Sequence, residues 1–347
     1  MTHLTRAGFL RASGLTLLGG GALAACADDG AGGGQGGATE DFTFVSFLPM
    51  DTLTFAPEMV GIAGGHFAAE GLQTTVQVAR GTPQALQSVL GGVAPLSRCA
   101  TIDLATARTE QDQPLVNVGT IIRQPMLRLN YSLDRPIETA EDMVGLTIGI
   151  PSEGGTSEKS LLLMLMNGGV DPEQVTRQVV AQTPASWEMV RRGQLDGYIS
   201  STDMSLLVQA QHEDAAALNP GDVAPMPSDT QFYVTTEEAL ESHAEPIRAY
   251  LAAVRSACGS VLEDEGFTQT VATLREEYTF ATLDDDAVAR DGLAVQADGW
   301  TDGGAAPELL VTDMDLWLEG LEELERVGFV SGVEDAESWA TNELLTP

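Results

Sequence analysis

Four short segments of the chain combine side chains that suit the binding of a small polar molecule. Guanidinium groups and the free amides at a helix start bind oxyanions, whereas carboxylates and hydroxyls make single hydrogen bonds. Glycine permits close approach of a ligand to the backbone. The candidate ligand-binding residues of the four segments are Phe47, Met50, Asp51 and Thr54; Arg80, Gly81 and Thr82; Arg98, Cys99 and Thr101; and Gly154, Gly155, Thr156 and Ser157.

Four further residues are candidates that also have a structural alternative. Arg123, like Arg98, is either a ligand contact or a partner in an ion pair at the surface or between lobes. Trp187 lies on an apolar helical stripe, which favours packing in the core over stacking on a ligand. Ser201 and Asp203 follow a predicted strand and suit either a helix cap or a ligand contact.

The sequence contains no motif for catalysis or for metal binding. The four histidines are scattered at positions 3, 66, 212 and 243, and neither H-E-x-x-H nor C-x-x-C occurs. Gly149 and Gly154 have the spacing of a phosphate loop, but Gly155 stands where the lysine would be, which argues against nucleotide hydrolysis. A nucleophile elbow is also missing. We therefore expect binding without chemistry, no cofactor and no enzymatic activity.

Predicted strands and helices alternate with short connections, which is typical of an α/β fold with mainly parallel sheets. Strands are predicted over 96–100 and 115–122, with a helix over 103–110 between them. Thr82-Pro83 and Thr183-Pro184 suit the cap and first turn of two helices. Each candidate segment lies at the carboxyl end of a predicted strand. Because ligands of open α/β sheets bind at the carboxyl ends of strands, the segments are expected to face one cleft.

The chain from residue 41 onward is long enough for two lobes of ordinary domain size. The predicted division places residues 41–131 and 230–347 in a first lobe, which includes the C-terminal helices, and residues 132–229 in a second lobe. Extended segments near 127–133 and 229–234 bracket the second lobe. Two such crossings predict a hinge between the lobes.

The formal net charge of −34 is distributed unevenly. Residues 41–131 carry 7 acidic residues and 5 arginines, residues 132–229 carry 15 acidic and 5 basic residues, and residues 230–347 carry 26 acidic residues and 5 arginines. Such a surface repels the phosphates of nucleic acids, which excludes them as partners. The acidic excess, with Lys159 as the single lysine, predicts a solvated and salt-tolerant exterior.

The N-terminal segment predicts export and a lipid anchor. An apolar stretch rich in glycine and alanine follows Arg6 and Arg11 and ends in Leu-Ala-Ala-Cys at Cys26, the pattern of a bacterial lipobox. Residues 1–25 are therefore predicted to be a lipoprotein signal peptide, Cys26 the lipidated residue, and 26–40 a glycine-rich tether. The body would lie on the outer face of the cell membrane, on its periplasmic or extracellular side. The segment is compatible with Sec and with twin-arginine export.

Two cysteines remain if Cys26 carries the lipid. Cys99 and Cys258 form either one disulfide in an oxidising compartment or two buried thiols. The apolar helical face around Cys258 is compatible with a buried free thiol.

Five stretches of the chain, in the same order, resemble bacterial solute-binding proteins of ABC importers of the sulfonate, nitrate, taurine and thiamine-precursor group (SsuA/THI5-like, NMT1-like). The resemblance extends from Asp41 to about Leu262. It implies a two-lobed periplasmic-binding-protein fold of type II, closure of the hinge on a small ligand, and docking onto permease subunits with a cytoplasmic ATPase. A monomeric receptor is expected. The stretches are PEMVGIAGGHFAAEGL, RGTPQALQSVLGG, IETAEDMVGLTIGIP, GGVDPEQV and VRRGQLDGYI.

The sequence leaves the ligand class and two other functions open. Arg80 and the Gly154 segment suit a sulfonate, nitrate or carboxylate, whereas aromatic side chains suit a pyrimidine thiamine precursor. The first loop lacks the Asp-Trp and His of the family's thiamine-precursor motif, which counts against the pyrimidine. One alternative is a two-lobed enzyme of the pyrimidine-synthesis or menaquinone-pathway type, against which the signal peptide argues. The other is a sensory ligand-binding lipoprotein.

Overall fold

The computed structural model describes residues 39–223, 231–301 and 308–345. The predicted signal peptide, the lipidation site Cys26 and the tether up to residue 38 lie outside the described residues. The strands of the described part are β1 (Glu40–Ser46), β2 (Leu72–Val78), β3 (Leu96–Ala100), β4 (Leu115–Ile122), β5 (Leu127–Ser132), β6 (Thr147–Ile150), β7 (Thr176–Val179), β8 (Gly197–Ser201), β9 (Ala215–Leu218) and β10 (Gln231–Thr236).

The first sheet has the strand order β2-β1-β3-β10-β4. β1 pairs in parallel with β2 and β3, whereas β10 pairs antiparallel with both β3 and β4. Four strands therefore point the same way and β10 is reversed. Every residue of β3 and β4 is buried, as is typical of strands that are covered on both faces.

The second sheet repeats this arrangement in the order β7-β6-β8-β5-β9. β6 is parallel to β7 and β8, and β5 is antiparallel to β8 and β9. The reversed strands β5 and β10 are the ones that follow a crossing between the sheets, after β4 and after β9. We call the parts built on the two sheets the first and the second lobe. β5 lies in the second sheet, although the predicted division counts residues 127–131 with the first lobe; that division stays a proposal.

Helices cover both sheets. They are α1 (Ala56–Ala63), α2 (His66–Ala69), α3 (Thr82–Leu90), α4 (Thr101–Gln111), α5 (Thr156–Asn167), α6 (Pro184–Arg191), α7 (Thr202–Gln211), α8 (Pro220–Val223), α9 (Glu237–Ser242), α10 (Ala244–Glu263), α11 (Thr268–Glu277), α12 (Asp286–Thr301) and α13 (Met314–Arg326). Shorter 3-10 turns span Leu53–Phe55, Glu141–Met143, Pro172–Gln174, Glu265–Phe267, Ala281–Asp284 and Ala336–Trp339.

The starts of α3 and α6 test the two predicted threonine-proline caps. Thr183 is the N-cap of α6 and Pro184 its first residue, as predicted. The cap predicted at Thr82 is wrong by one residue, because Gly81 is the N-cap of α3 and Thr82 already belongs to the helix. Gly81 has a φ of 95°, a conformation that favours glycine, so the turn into α3 takes place one residue earlier.

The first lobe has an aromatic core beneath α10. Tyr250 of this helix stacks on Phe42 and Phe44 of β1, with ring centroids 4.9 and 5.5 Å apart. Cys258 follows Tyr250 by eight residues on the same buried face, as the helical period requires. Cys99 and Cys258 are both buried free thiols, and burial raises the pKa of each, so neither is poised as a nucleophile.

Candidate functional site

The carboxyl ends of two parallel strands from each sheet enclose a cleft between the lobes. Its volume of about 780 Å³ is typical of small-molecule sites. The loops after β1 and β2 form the first-lobe wall, and the loops after β6 and β7 form the second-lobe wall. The lining residues are Leu48, Pro49, Asp51, Thr52, Val78, Ala79, Arg80, Gly81, Pro151, Ser152, Glu153, Val179, Val180, Ala181, Gln182 and Thr183.

The two walls come close together at Gly81. A Cβ atom built on this glycine would lie 2.5 Å from Ser152 Oγ and 2.7 Å from Ser152 Cβ, and Ser152 belongs to the other lobe. The Gly81 amide also donates a hydrogen bond of 2.9 Å to the Phe47 carbonyl, which ties the loop after β2 to the end of β1. The contact between the walls therefore depends on the missing side chain at position 81.

The charged groups of the described lining give the cleft a slight negative balance. Asp51 and Arg80 lie on the first-lobe wall and Glu153 on the second-lobe wall. An oxyanion would meet two carboxylates and one guanidinium there. A solute with N–H or O–H donors finds acceptors on both walls.

The Asp51 carboxyl has a perturbed proton affinity. Burial raises the pKa of Asp51, and the nearby Asp203 carboxylate adds to the rise, while a backbone hydrogen bond opposes it. The folded protein therefore favours the protonated carboxyl more than the unfolded chain does. This contribution to stability is present below the unfolded pKa and is lost as the pH rises through the folded pKa.

We expect the Asp51→Asn variant to be slightly more stable than the unchanged protein at pH 7, by about 1 °C in Tm. The difference should shrink at pH 3.5, which is below the ordinary pKa of 3.8, because most of the Asp51 carboxyl groups are then protonated in both states. Asp142→Asn is the matched control of opposite sign, because the amides of Glu138 and Thr139 lower the pKa of Asp142. Thermal unfolding followed by circular dichroism at both pH values measures this. A Tm change of the same sign and size in both variants would contradict this explanation.

The mouth of the cleft is apolar. Val78 and Val179, at the ends of the edge strands β2 and β7, are 55% and 52% exposed and both line the cleft. Half of the other lining residues after β1 and β7 are also apolar, namely Leu48, Pro49, Val180 and Ala181. Exposed valines that line a cleft favour a ligand with an apolar face.

Arg98 lies in the core of the first lobe and does not line the cleft. Its side chain is fully buried and pairs with the buried Glu58 carboxylate at 3.2 Å. The guanidinium also donates to the Thr54 carbonyl and to Gln231 Oε1, each at 2.9 Å, while the Tyr233 hydroxyl donates to Glu58 at 2.6 Å. Burial lowers the pKa of Arg98, but the charge and hydrogen bond of the Glu58 carboxylate together with Tyr233 and Tyr250 outweigh it, so the net direction is upward. Arg98 thus anchors the segment that follows the first cleft loop.

Four more candidates pack near the cleft without lining it. Phe47 packs on Phe55 with ring centroids 5.0 Å apart, and Met50 packs against the first-lobe core. Cys99 and Thr101 are buried where β3 passes into α4. These side chains support the loops from behind.

Trp187 occupies the core position that its structural alternative describes, whereas Arg123 makes a hydrogen bond to the backbone. Arg123 donates through its guanidinium to the Val311 carbonyl at 2.6 Å. Trp187 of α6 is fully buried in an apolar cluster with Val190 and Leu195. Neither side chain belongs to the cleft lining.

The Gly154 segment and Thr82 meet at the interface between the lobes, beside the cleft. Thr82 and Thr156 are in hydrogen-bond contact through their hydroxyls, at 3.0 Å. The Gly154 amide donates to Glu158 at 2.6 Å, and Ser157 is buried in the first turn of α5. Gly155, the N-cap of α5, packs against Ser152 of the lining.

Ser201 and Asp203 are buried where β8 passes into α7. Both are within hydrogen-bond distance of Thr52, which belongs to the first lobe, at 3.0 and 2.8 Å. The structure thus brings Asp51, Arg80 and Gly81 into the lining, and it places Ser201 and Asp203 at the lobe contact behind them.

Sequence reasoning missed several polar lining residues of the second lobe. Ser152 and Glu153 directly follow β6, and Gln182 and Thr183 follow β7. The rule that ligands bind at the carboxyl ends of strands points to all four residues, since each of them follows β6 or β7. Thr183 was assigned only the role of a helix cap.

Within the described ranges, no group of three or more His, Cys, Asp or Glu side chains is placed to hold a metal ion. Of the helices that the structure describes, none combines the length and the apolar character that a membrane crossing needs.

The chain matches the model of the family described as NMT1/THI5 like over residues 52–265. The chain is 25% identical over 283 residues to the formylaminopyrimidine-binding protein of Halalkalibacterium halodurans, which covers 81% of this chain and 77% of the relative. It is 26% identical over 309 residues to the riboflavin-binding protein RibY of Chloroflexus aurantiacus, which covers 87% of this chain and 84% of the relative.

Solved structures show the same fold. The alkanesulfonate-binding protein SsuA of Xanthomonas axonopodis pv. citri, bound to MOPS, superposes with a TM-score of 0.65 at 13% identity, over 88% of this chain and 99% of that chain. The desulfurization enzyme DszB has a TM-score of 0.54 at 14% identity, over 88% and 97% of the two chains. The architecture is that of the two-lobed type II periplasmic binding proteins, which also occurs in an enzyme, so the fold alone does not decide between binding and catalysis.

Proposed function

The chain belongs to the NMT1/THI5-like family, and on that basis we propose that it is a solute-binding protein that captures a small organic molecule in the cleft between its lobes and delivers it to an ABC importer. The observation that carries the proposal is the cleft itself, since four strand-end loops from both lobes line one cavity of about 780 Å³. The two curated relatives bear the names of binding proteins, which supports binding without catalysis.

The lining favours an uncharged or amine-bearing heterocycle over an oxyanion. Asp51 and Glu153 offer acceptors on opposite walls, and Gln182 and Thr183 add polar groups that can orient a planar ligand. Val78 and Val179 supply apolar contact at the mouth. Formylaminopyrimidine and riboflavin, which the names of the curated relatives give as ligands, combine a flat ring with hydrogen-bonding groups. A sulfonate would leave the two carboxylates uncompensated.

Lobe closure gives the binding its selectivity. A ligand that touches both walls binds the closed arrangement more tightly than an open one, and this difference in affinity shifts the equilibrium toward closure. The crossings after β4 and after β9 are the connections about which the lobes would turn. We propose that the second lobe spans residues 132–229 and that the rest of the body forms the first lobe.

Delivery requires the protein to stay close to a permease outside the cytoplasm. The lipobox at Cys26 and the glycine-rich tether would hold a monomeric receptor on the outer face of the membrane. Tethering raises the effective concentration of receptor around its permease without any new contact.

A thermal-unfolding screen with three probes tests the proposal. Formylaminopyrimidine and riboflavin represent the heterocycles, and MOPS represents the sulfonates. A ligand present at a hundred times its Kd stabilises the native state by about 2.7 kcal/mol, which we expect to raise Tm by about 5 °C for a heterocycle. If only MOPS raises Tm, the ligand is a sulfonate and the preference for a heterocycle is wrong. No shift with any of the three would count against the proposed function.

A further inference from the structure

Asp203 of the second lobe receives hydrogen bonds from two separate parts of the first lobe. The Thr52 hydroxyl donates to its Oδ1 at 2.8 Å, and the Leu53 amide donates to its Oδ2 at 3.1 Å. Thr282, in the 3-10 turn before α12, donates to the same Oδ2 at 3.1 Å. Asp203 is fully buried, so these contacts are shielded from water.

Asp103 of the first lobe makes the reverse contact. The Thr156 hydroxyl of the second lobe donates to its Oδ2 at 2.5 Å, and Lys159 Nζ donates to its Oδ1 at 2.9 Å. The Asp103 side chain is fully buried and that of Lys159 is 16% exposed. The single lysine of the chain is therefore used for a contact between the lobes.

The two contacts occupy equivalent places in the two lobes. β3 and β8 hold the same position in their sheets, and each runs directly into a helix whose first turn carries the aspartate. β1 and β6 are likewise equivalent, and each is followed by the threonine that donates to the aspartate of the other lobe. The segment that ends at Thr52 and the segment before Thr156 both line the cleft.

We propose that Asp103 and Asp203 are reciprocal positioning residues, each of which holds the cleft-lining segment of the opposite lobe in its binding conformation. Neither aspartate belongs to the lining, so each acts through the loop that it holds. The contact between the lobes then helps to assemble the site, because the loop after β1 and the loop after β6 each gain an anchor from across the cleft. This inference rests on the proposed function for the use of those loops, while the anchoring is tested without any ligand.

The experiment is hydrogen–deuterium exchange on the full, ligand-free chain. Asp203→Asn and Asp103→Asn keep the side-chain volume but leave one acceptor oxygen where the carboxylate had two. We expect Asp203→Asn to speed amide exchange in residues 48–55 of the other lobe by about tenfold and to leave 151–158 unchanged. Asp103→Asn should give the converse pattern. Asp291→Asn, on the exposed face of α12, is the control and should change neither segment.

The crossed pattern separates positioning from a local structural role. If each variant speeds exchange only in its own helix, or in both loops equally, the inference is overturned. Thr52→Val and Thr156→Val remove the donors instead and should reproduce the two patterns, which keeps the test decisive if an aspartate variant fails to fold. A failed ligand screen would overturn the proposed function and leave this result intact. If a probe binds but the variants do not speed exchange in the loop of the opposite lobe, the inference is overturned and the proposed function is not.

Discussion

Replacing Arg98 with alanine should destabilise the protein by about 3–5 kcal/mol, because the change leaves the Glu58 carboxylate buried without its partner. The side chain is fully buried, so water cannot replace the guanidinium. The variant also loses the bonds to the Thr54 carbonyl and to Gln231. Urea unfolding at pH 7 followed by circular dichroism measures the effect.

The double variant Arg98→Met with Glu58→Gln is the control. It removes both charges and keeps apolar volume, so most of the lost stability should return if the unpaired carboxylate is the cause. Arg135→Ala removes the arginine of an exposed ion pair with Asp196, and its cost should be below about 1 kcal/mol. An Arg98→Ala variant as stable as Arg135→Ala would contradict the buried pair.

Replacing Gly81 with alanine should weaken ligand binding by about tenfold to a hundredfold. The new methyl group would meet Ser152 of the other lobe, and overpacking of this kind costs about 1–3 kcal/mol in the closed arrangement. The clash between the new methyl group and Ser152 is absent when the lobes are open. The free-energy cost of the clash therefore lowers the affinity for ligand as well as the stability of the protein. Calorimetric titration with the probe that raises Tm measures it.

Gly71→Ala separates backbone strain from the contact between the lobes. Gly71 has a φ of 78°, but a Cβ there meets nothing within 4 Å. Both variants should lose stability to strain, by about 1–2 kcal/mol, and only Gly81→Ala should lose affinity. Adding Ser152→Gly to Gly81→Ala should restore much of the binding. Equal affinity in the two single variants would show that the lobes do not meet at residue 81 when ligand binds.

The strands of the first lobe are the part of the fold that the sequence predicts best. The predicted ranges 96–100 and 115–122 coincide with β3 and β4. Each strand directly follows a proline, Pro95 or Pro114, and β4 is mostly apolar, whereas β3 (Leu-Ser-Arg-Cys-Ala) is not an apolar run. β9 has no such signal, because its sequence is Ala-Ala-Ala-Leu and alanine is depleted in strands. α7 begins inside a cluster of hydroxyl and acidic residues that resembles a loop.

The site was predictable only as far as its position at the strand ends. Asp51 lies in the loop after β1 and Arg80 closely follows β2, and the structure places both in the lining. Arg98 lies within β3, and its partner Glu58 lies 40 residues earlier and is brought near by α1. Asp103 and Asp203 accept hydrogen bonds from residues of the other lobe. No local sequence pattern predicts contacts between residues so far apart in the chain. A single sequence does not tell which distant segments come into contact in the fold.

The most direct test of the central claim is calorimetric titration of a Val179→Trp variant with the heterocycle that raises Tm. Val179 is 52% exposed at the cleft mouth, where an indole would fill the space between the walls without disturbing the core. Val93→Trp, at a 56% exposed position outside the cleft lining, is the matched control. The account predicts that Val179→Trp abolishes binding while Val93→Trp keeps the affinity of the unchanged protein. Full affinity in both variants would show that the solute does not bind in this cleft.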